Sequence, residues 1–203
     1  MQLEVFFDCS SPWSYLGFEQ VQPLGAELGL ELIWRPVLVG GIFNAVNSSV
    51  YHIRENVPAK LAYMAKDLRD WSRITGIAIN PRPSIFPVNS AAAMRACLLM
   101  PDSASLVATA RALFEAYWRD DRDIGDRAVI ANCVAATGAD PALLARLDDP
   151  AVKDQLRTNT AEAVARGSFG VPTFFLNRDD MYFGVDRLPN LRHAATQGER
   201  DAT

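Results

Sequence analysis

Ser11 and Ser14 bracket Pro12-Trp13 where an apolar run, Val5-Phe6-Phe7, gives way to a helix-like pattern. Proline is favoured in the first helical position, which puts Ser11 at or next to the N-cap. Unpaired backbone N–H groups and the helix dipole favour negative charge there. A serine hydroxyl at that point can donate to an anion or a thiolate, and donation to the thiolate lowers the thiol's pKa. A plain capping serine is the commoner use of the same position. Cysteines spaced as Ser11 and Ser14 are would make the turn a dithiol site. With serine at both positions, disulfide exchange is excluded at this turn. The second chemistry-bearing stretch is Phe169-Gly170-Val171-Pro172-Thr173, a proline immediately before a strand. A cis Val171–Pro172 bond would present the Val171 backbone to an extended ligand, whereas a trans bond merely starts the strand.

These residues need a strand and a helix to hold them. Residues 2–8 read as a first strand, and a helix runs from Pro12 to about Leu28, where Gly29 is a stop signal. Glu31 to Pro36 reads as a second strand, parallel to the first across a helical crossover. Residues 37–58, with Gly40-Gly41, Asn44, Asn47 and Ser48, read as a long loop with one helical turn at most. Helical spacing returns over 59–75, with Leu61, Met64, Leu68 and Trp71 forming one apolar face read as core. After a proline-rich extended passage at 80–87, helices are expected near 89–100, 103–119, 126–137, 141–147 and 150–166. Asp123 or Asp126, Asp140 and Asp149 are their start signals. A hairpin follows, 173–176 and 181–183 around a turn at 177–180, then a last helix over 188–196 and a frayed tail from Gly198. Neither group of strands can bury a face alone, so one sheet split by a helical insertion explains the order. The expected units are 1–45 joined with 168–203, and an inserted unit at 46–167.

The 203 residues are 49% apolar and 22% charged, ordinary for a globular chain. A formal net charge of −4 without a basic cluster argues against a nucleic-acid partner. No apolar run approaches the roughly 18 residues of a membrane span, and the N-terminus lacks a signal-peptide pattern. Cys9, Cys97 and Cys133 are odd in number and far apart, which fits neither a disulfide framework nor a metal site. A reducing cytoplasm is the expected setting. Cys9 is read as a small buried hydrophobe. His52 and His193 have no partner at metal-ligand spacing, and no metal is expected.

Together these features resemble the thioredoxin superfamily, in which a Val-cis-Pro-Thr loop faces the N-terminus of the active-site helix. More narrowly, Phe7-Asp8-Cys9-Ser10-Ser11-Pro12-Trp13-Ser14-Tyr15-Leu16 resembles a signature of the 2-hydroxychromene-2-carboxylate isomerases and kappa-class glutathione transferases. Gly40-Gly41-Ile42-Phe43, Tyr63-Met64-Ala65-Lys66-Asp67-Leu68, Phe86-Pro87-Val88-Asn89-Ser90, Phe169-Gly170-Val171-Pro172-Thr173 and Phe183-Gly184-Val185-Asp186-Arg187-Leu188 follow in the same order.

The resemblance implies an α/β thioredoxin-like fold, DsbA-like in type, with an inserted all-helical domain and glutathione as cofactor. Ser11, with Pro12 and Trp13 beside it, would meet the glutathione sulfur. Val171, preceding Pro172, would pair its backbone with the cysteinyl part. Val185 and Asp186 would hold the γ-glutamyl end, and Asn47-Ser48 would add a further contact. Phe43, Asn47 and Asn89 are the candidates for an aromatic small-molecule substrate, and a homodimer is expected. Val185 stands where many relatives carry Asn or Ser, so a side-chain hydrogen bond is missing there. The implied reaction converts 2-hydroxychromene-2-carboxylate, or a related bicyclic catabolite, to trans-o-hydroxybenzylidenepyruvate. A kappa-like transferase or peroxidase acting on small electrophiles is the alternative, and a non-catalytic thioredoxin-fold binding protein a third reading. Disulfide exchange through Cys9 would need a partner thiol, and Cys97 and Cys133 both fall in helices not obviously near it.

Overall fold

The computed structural model describes residues 1–200, apart from the side chains at 52–55 and 198–200. His52 and the end of the expected tail, 201–203, lie outside the described residues. The apolar run before the Ser11 turn is β1 (Gln2–Phe7), followed by α1 (Pro12–Glu27) and β2 (Glu31–Pro36). The helical block contains α2 (Val39–Val46), α3 (Ser49–Asn56), α4 (Pro58–Thr75), α5 (Ala91–Leu98), α6 (Ser103–Trp118) and α7 (Arg127–Ala136). A 3-10 turn over Pro141–Arg146 leads to α8 (Pro150–Ala165). The chain closes with β3 (Thr173–Leu176), β4 (Asp180–Phe183) and α9 (Leu188–Arg200). The last helix thus extends past the expected end at Thr196.

The strands form one sheet in the order β2-β1-β3-β4. β1 pairs parallel with β2, Val5 opposite Trp34, and antiparallel with β3, Val5 opposite Phe174. Two segments far apart in sequence therefore complete one sheet, as the strand inventory requires. Period-two alternation divides the faces. Leu3, Val5, Phe174 and Leu176 pack against α1 and α9 through Leu16, Val21, Leu188 and Leu191. On the other face Phe6 and Phe175 meet Ile42 of α2 and Ala163 of α8. With both faces covered, β3 is buried at every position, which is why Thr-Phe-Phe-Leu reads as an unbroken apolar run. A third cluster joins Phe7, Tyr15 and Phe18 to α5, α6, α7 and α8, with Tyr15 stacked on Phe114 at 5.0 Å. Arg166 strengthens the seat of α8: its guanidinium lies 3.9 Å from the Phe175 ring centre and 2.7 Å from Glu4 Oε1.

The expected loop at 37–58 is instead the two helices α2 and α3. Gly40-Gly41 weakens α2 locally, since glycine costs about 1 kcal/mol in a helix interior. Long-range contacts compensate. Ile42 is fully buried, and a Cβ on Gly41 would lie only 3.1 Å from Thr160 Cγ2 of α8, so glycine lets the two helices approach. The N-cap residue Leu38 offers no side-chain bond, and Asp8 Oδ2 accepts the Val39 N–H at 2.8 Å from 31 residues earlier.

Other local signals need similar correction. The apolar face of α4 is only partly core: Leu68 is buried, but Leu61 is 37% exposed. Asp126 caps α7 through the Ala128 N–H, and Asp140 caps the 3-10 turn through Ala142. Asp123 instead accepts from Gly125. Asp149 does not cap α8 with its side chain, which accepts from Arg146 Nε at 3.0 Å.

Candidate active site

Ser11 is the N-cap of α1, with extended backbone (φ −108°, ψ 122°) and Pro12 opening the helix. Its Oγ accepts the Ser14 N–H at 3.2 Å, and its own N–H donates to Asp8 O at 3.0 Å. The cap uses an acceptor lone pair, so the hydroxyl proton is still a donor. Ser11 keeps 9% exposure, whereas Ser14 is fully buried and its Oγ accepts the Asp8 N–H at 3.4 Å. The two serines therefore differ in place: Ser14 closes the turn from inside, and Ser11 caps the helix. Trp13 packs, partly buried, beside the α1–α9 core.

The Val171–Pro172 bond is cis. Ser168 and Thr173, both buried, pin the loop from below: each hydroxyl donates to Gly170 O, at 2.9 and 2.8 Å. The Gly184 N–H holds Pro172 O at 3.0 Å from the far end of β4. The loop reaches α1 at Gly17, where a Cβ would come within 2.7 Å of Pro172 Cγ. Gly17 follows Ser11 by six positions, about 9 Å along a helix axis. The proline loop thus flanks the first turns of the helix that Ser11 caps. Sequence reasoning missed Gly17; a glycine inside a strong helical pattern was the available signal.

Two of the candidate substrate residues converge on this loop. Asn47 Nδ2 donates to Phe169 O at 2.9 Å, tying the end of α2 to the proline turn. Phe43 Cε1 lies 3.7 Å from where a Cβ on Gly170 would sit, and its ring meets Tyr51 edge-on at 6.2 Å. Phe169 and Phe183 add a second aromatic pair, ring centres 4.3 Å apart, which sequence reasoning did not single out. Ser48 is exposed, with its carbonyl accepting the Tyr51 N–H. Asn89 is not tied to the proline loop by a hydrogen bond among the described residues: its Oδ1 accepts the Ala91 N–H at the start of α5.

Val185 and Asp186 follow the Gly184 turn. The Val185 side chain is 3% exposed and belongs to the α1–α9 core, and its carbonyl accepts the Leu188 N–H. Asp186 is half exposed, 3.1 Å from Arg187 Nη1. Asp186 lines a cavity of about 490 Å³ together with Phe169 and Phe183, beside the proline loop, whereas Val185 lines a separate cavity of about 220 Å³ with Leu24, Trp71 and Leu188.

The cysteines lie closer together than the sequence implied. The Cys9 Sγ donates to Ala110 O at 3.8 Å, and Cys97 and Cys133 both lie near enough to act on the Cys9 thiol. All three are buried and unpaired. Burial pushes the Cys9 thiol well above its ordinary range, and the Cys97 contact pushes the same way. A thiol so placed resists forming the thiolate that exchange requires. Proximity therefore does not create a dithiol site. Among the described residues, no group of His, Cys, Asp and Glu is arranged to hold a metal ion, and no helix is long and apolar enough to cross a membrane.

A family model of DSBA-like thioredoxin domains matches residues 2–195. The kappa 1 glutathione S-transferase of Homo sapiens is 30% identical over 204 residues, covering 94% of this chain and 89% of that protein. The 2-hydroxychromene-2-carboxylate isomerase of Pseudomonas putida is 27% identical over 197 residues, covering 96% of this chain and 94% of that one. A solved 2-hydroxychromene-2-carboxylate isomerase structure superposes with a TM-score of 0.84 at 25% identity, over 100% of this chain and 98% of its own.

Proposed function

The chain belongs to the DSBA-like thioredoxin domain family, and from that premise we propose that it is a glutathione-dependent isomerase of 2-hydroxychromene-2-carboxylate or a close bicyclic relative. One observation carries the reading. The turn that in a dithiol enzyme would hold sulfur instead holds Ser11, capped through its lone pair with its proton still to donate. Such a site suits a thiolate brought by another molecule.

The residues present fit glutathione. Ser11 and the α1 N-terminus would stabilise its sulfur as thiolate. The Val171 backbone would pair with the cysteinyl unit, next to the close Gly17–Pro172 packing. Asp186, an exposed carboxylate, would take the γ-glutamyl ammonium, with Val185 contributing backbone alone. Pro12, Trp13, Asn47 and Ser48 would border the tripeptide. When bound, glutathione supplies a nucleophile that adds reversibly to a conjugated system and so permits rotation about a former double bond. The chain's own part is to keep that thiolate charged, to hold the aromatic acid against Phe43, Asn47 and Asn89, and to offer backbone N–H groups to the developing enolate. The division into a sheet-bearing unit (1–45 with 168–203) and a helical unit (46–167), a homodimer and a cytoplasmic setting belong to the same proposal.

A kappa-like transferase is the second reading, favoured by the 30% identity to the human enzyme. Calorimetric titration with glutathione comes first: a folded protein that does not bind it would be a non-catalytic relative, and the proposal would fall. Given binding, glutathione-dependent conversion of the chromene, followed by absorbance, is expected to exceed conjugation of a generic aromatic halide. The reverse ranking would select the transferase.

A further inference from the structure

Asp8 does not cap α1 with its side chain, yet it is 1% exposed beneath the Ser11 turn. A carboxylate without a cation at that depth must be held by donors. Oδ1 accepts the N–H and the hydroxyl of Ser10, both at 2.9 Å. Oδ2 accepts the Val39 N–H at 2.8 Å, and the Ser90 side chain lies near enough to favour the charged carboxylate. These groups come from three separate segments. Ser10 adjoins Ser11. Val39 opens α2, which carries Phe43 and ends at Asn47. Ser90 follows Asn89 and is the N-cap residue of α5. One buried carboxylate thus meets every segment from which the thiolate donor and the candidate aromatic contacts arise.

We propose that Asp8 is a positioning residue that sets the α2 wall of the substrate site against the Ser11 turn and the Asn89 corner, and so governs affinity for the aromatic substrate. The inference rests on the glutathione-dependent reading of the site. A carboxylate offers about four acceptor sites on two oxygens, whereas an amide gives up one oxygen for a donor. Asp8→Asn would therefore set an N–H₂ against either the Val39 N–H or the Ser10 donors. α2 has eight residues, two of them glycine, and no side-chain cap of its own. Such a short helix is marginal without outside support. The Ser11 cap, by contrast, depends on Ser14 N and on the Asp8 backbone carbonyl, neither of which the substitution removes. The α2 wall should move while the thiolate site stays.

The test compares wild type with Asp8→Asn and with Ser90→Ala, which removes only a peripheral hydroxyl and serves if Asp8→Asn fails to fold. Asp8→Asn is expected to raise KM for the chromene about tenfold, the cost of leaving one buried donor unpaired, with kcat within about threefold of wild type. Ser90→Ala should raise KM less, in the same direction. A merely structural role would lower the active fraction, and so apparent kcat, without moving KM, and that pattern overturns the proposal. Amide hydrogen exchange supplies a readout free of turnover. Protection at Val39 to Phe43 should fall in the variants while that of the Ser14 amide is kept; equal loss at both, or none, overturns the proposal. If wild type binds no glutathione and turns over nothing, the functional reading fails by itself and the exchange comparison still decides the role of Asp8.

Discussion

The Pro172 ring occupies the space a side chain at Gly17 would need: a carbon built on Gly17 would stand 2.7 Å from Pro172 Cγ and 3.2 Å from Phe174 Cζ. Neither neighbour is the free end of a flexible chain. Gly17→Ala should force α1 and the proline loop apart and destabilise the fold by about 1–3 kcal/mol, as overpacking does. Urea unfolding measures it. Gly40→Ala is the control, because a Cβ there meets nothing within 4 Å. It should be neutral or stabilising by up to about 1 kcal/mol. The Gly17 variant is also expected to bind glutathione more weakly, since the same loop would carry the cysteinyl unit.

Ser11→Ala removes two things at once. Loss of the cap to Ser14 N should cost about 1 kcal/mol of stability. Loss of a donor to a charged sulfur should lower kcat by roughly ten- to a hundredfold, in line with hydrogen bonds to ionised groups. Ser11→Thr keeps the hydroxyl and should recover most of both. An Ala variant with unchanged turnover would remove Ser11 from catalysis. Ser14→Ala should have the opposite balance, costing stability more than rate, because its Oγ serves the buried Asp8 N–H.

Alkaline pH should unfold the protein through its buried tyrosines. Burial, with the negative charges of Glu115 and Glu19 adding to it, pushes Tyr15 up to about 12. Burial likewise pushes Tyr117 up to about 12, and its hydroxyl donates to Ile85 O at 2.8 Å. An unfolded tyrosine titrates near ~10, so the folded state holds these protons more tightly. Their contribution is complete below about pH 10 and is lost as pH rises through about 12. Tyrosinate absorbance recorded with circular dichroism is expected to show part of the phenols ionising together with loss of structure. Full ionisation near pH 10 in a still folded chain would contradict the assignment.

Thiol chemistry should be nearly silent. Cys9, Cys97 and Cys133 are all buried, and the Cys9 thiol is pushed well up by that burial. A thiol-reactive dye is expected to label the native protein slowly and all three positions after denaturation. The protein should not reduce insulin disulfides. Rapid native labelling of Cys9, or insulin reduction, would return the disulfide-exchange reading that the serine turn argues against.

Much of the fold was legible because its signals are local. Pro12 after Ser11 marks a helix start, Gly29 and Gly76 mark helix ends with positive φ, and the runs at 2–7 and 173–176 mark strands. Each signal depends on residues within a turn or two. The cap at Ser11 and the strand-initiating Pro172 are of this kind, which is why the two halves of the candidate site stood out in the chain. α2 was hidden because its local sequence argues against a helix, and its support comes from Asp8 and Thr160 across the fold. Asp149 and Leu61 misled for the matching reason: each has the right type at the right spacing, and a neighbour or its absence decided otherwise.

By itself, then, the sequence determined the strands and most of the helices in their order, a serine without sulfur at the helix start, and a proline loop to set against it. Only the tertiary structure decided which distant residues meet: Pro172 on Gly17, Asn47 on Phe169, Cys97 on Cys9, and three segments on Asp8. Propensity and capping act between neighbours in the chain. Close approach and hydrogen bonding between residues 31 or more positions apart depend on how the finished elements pack.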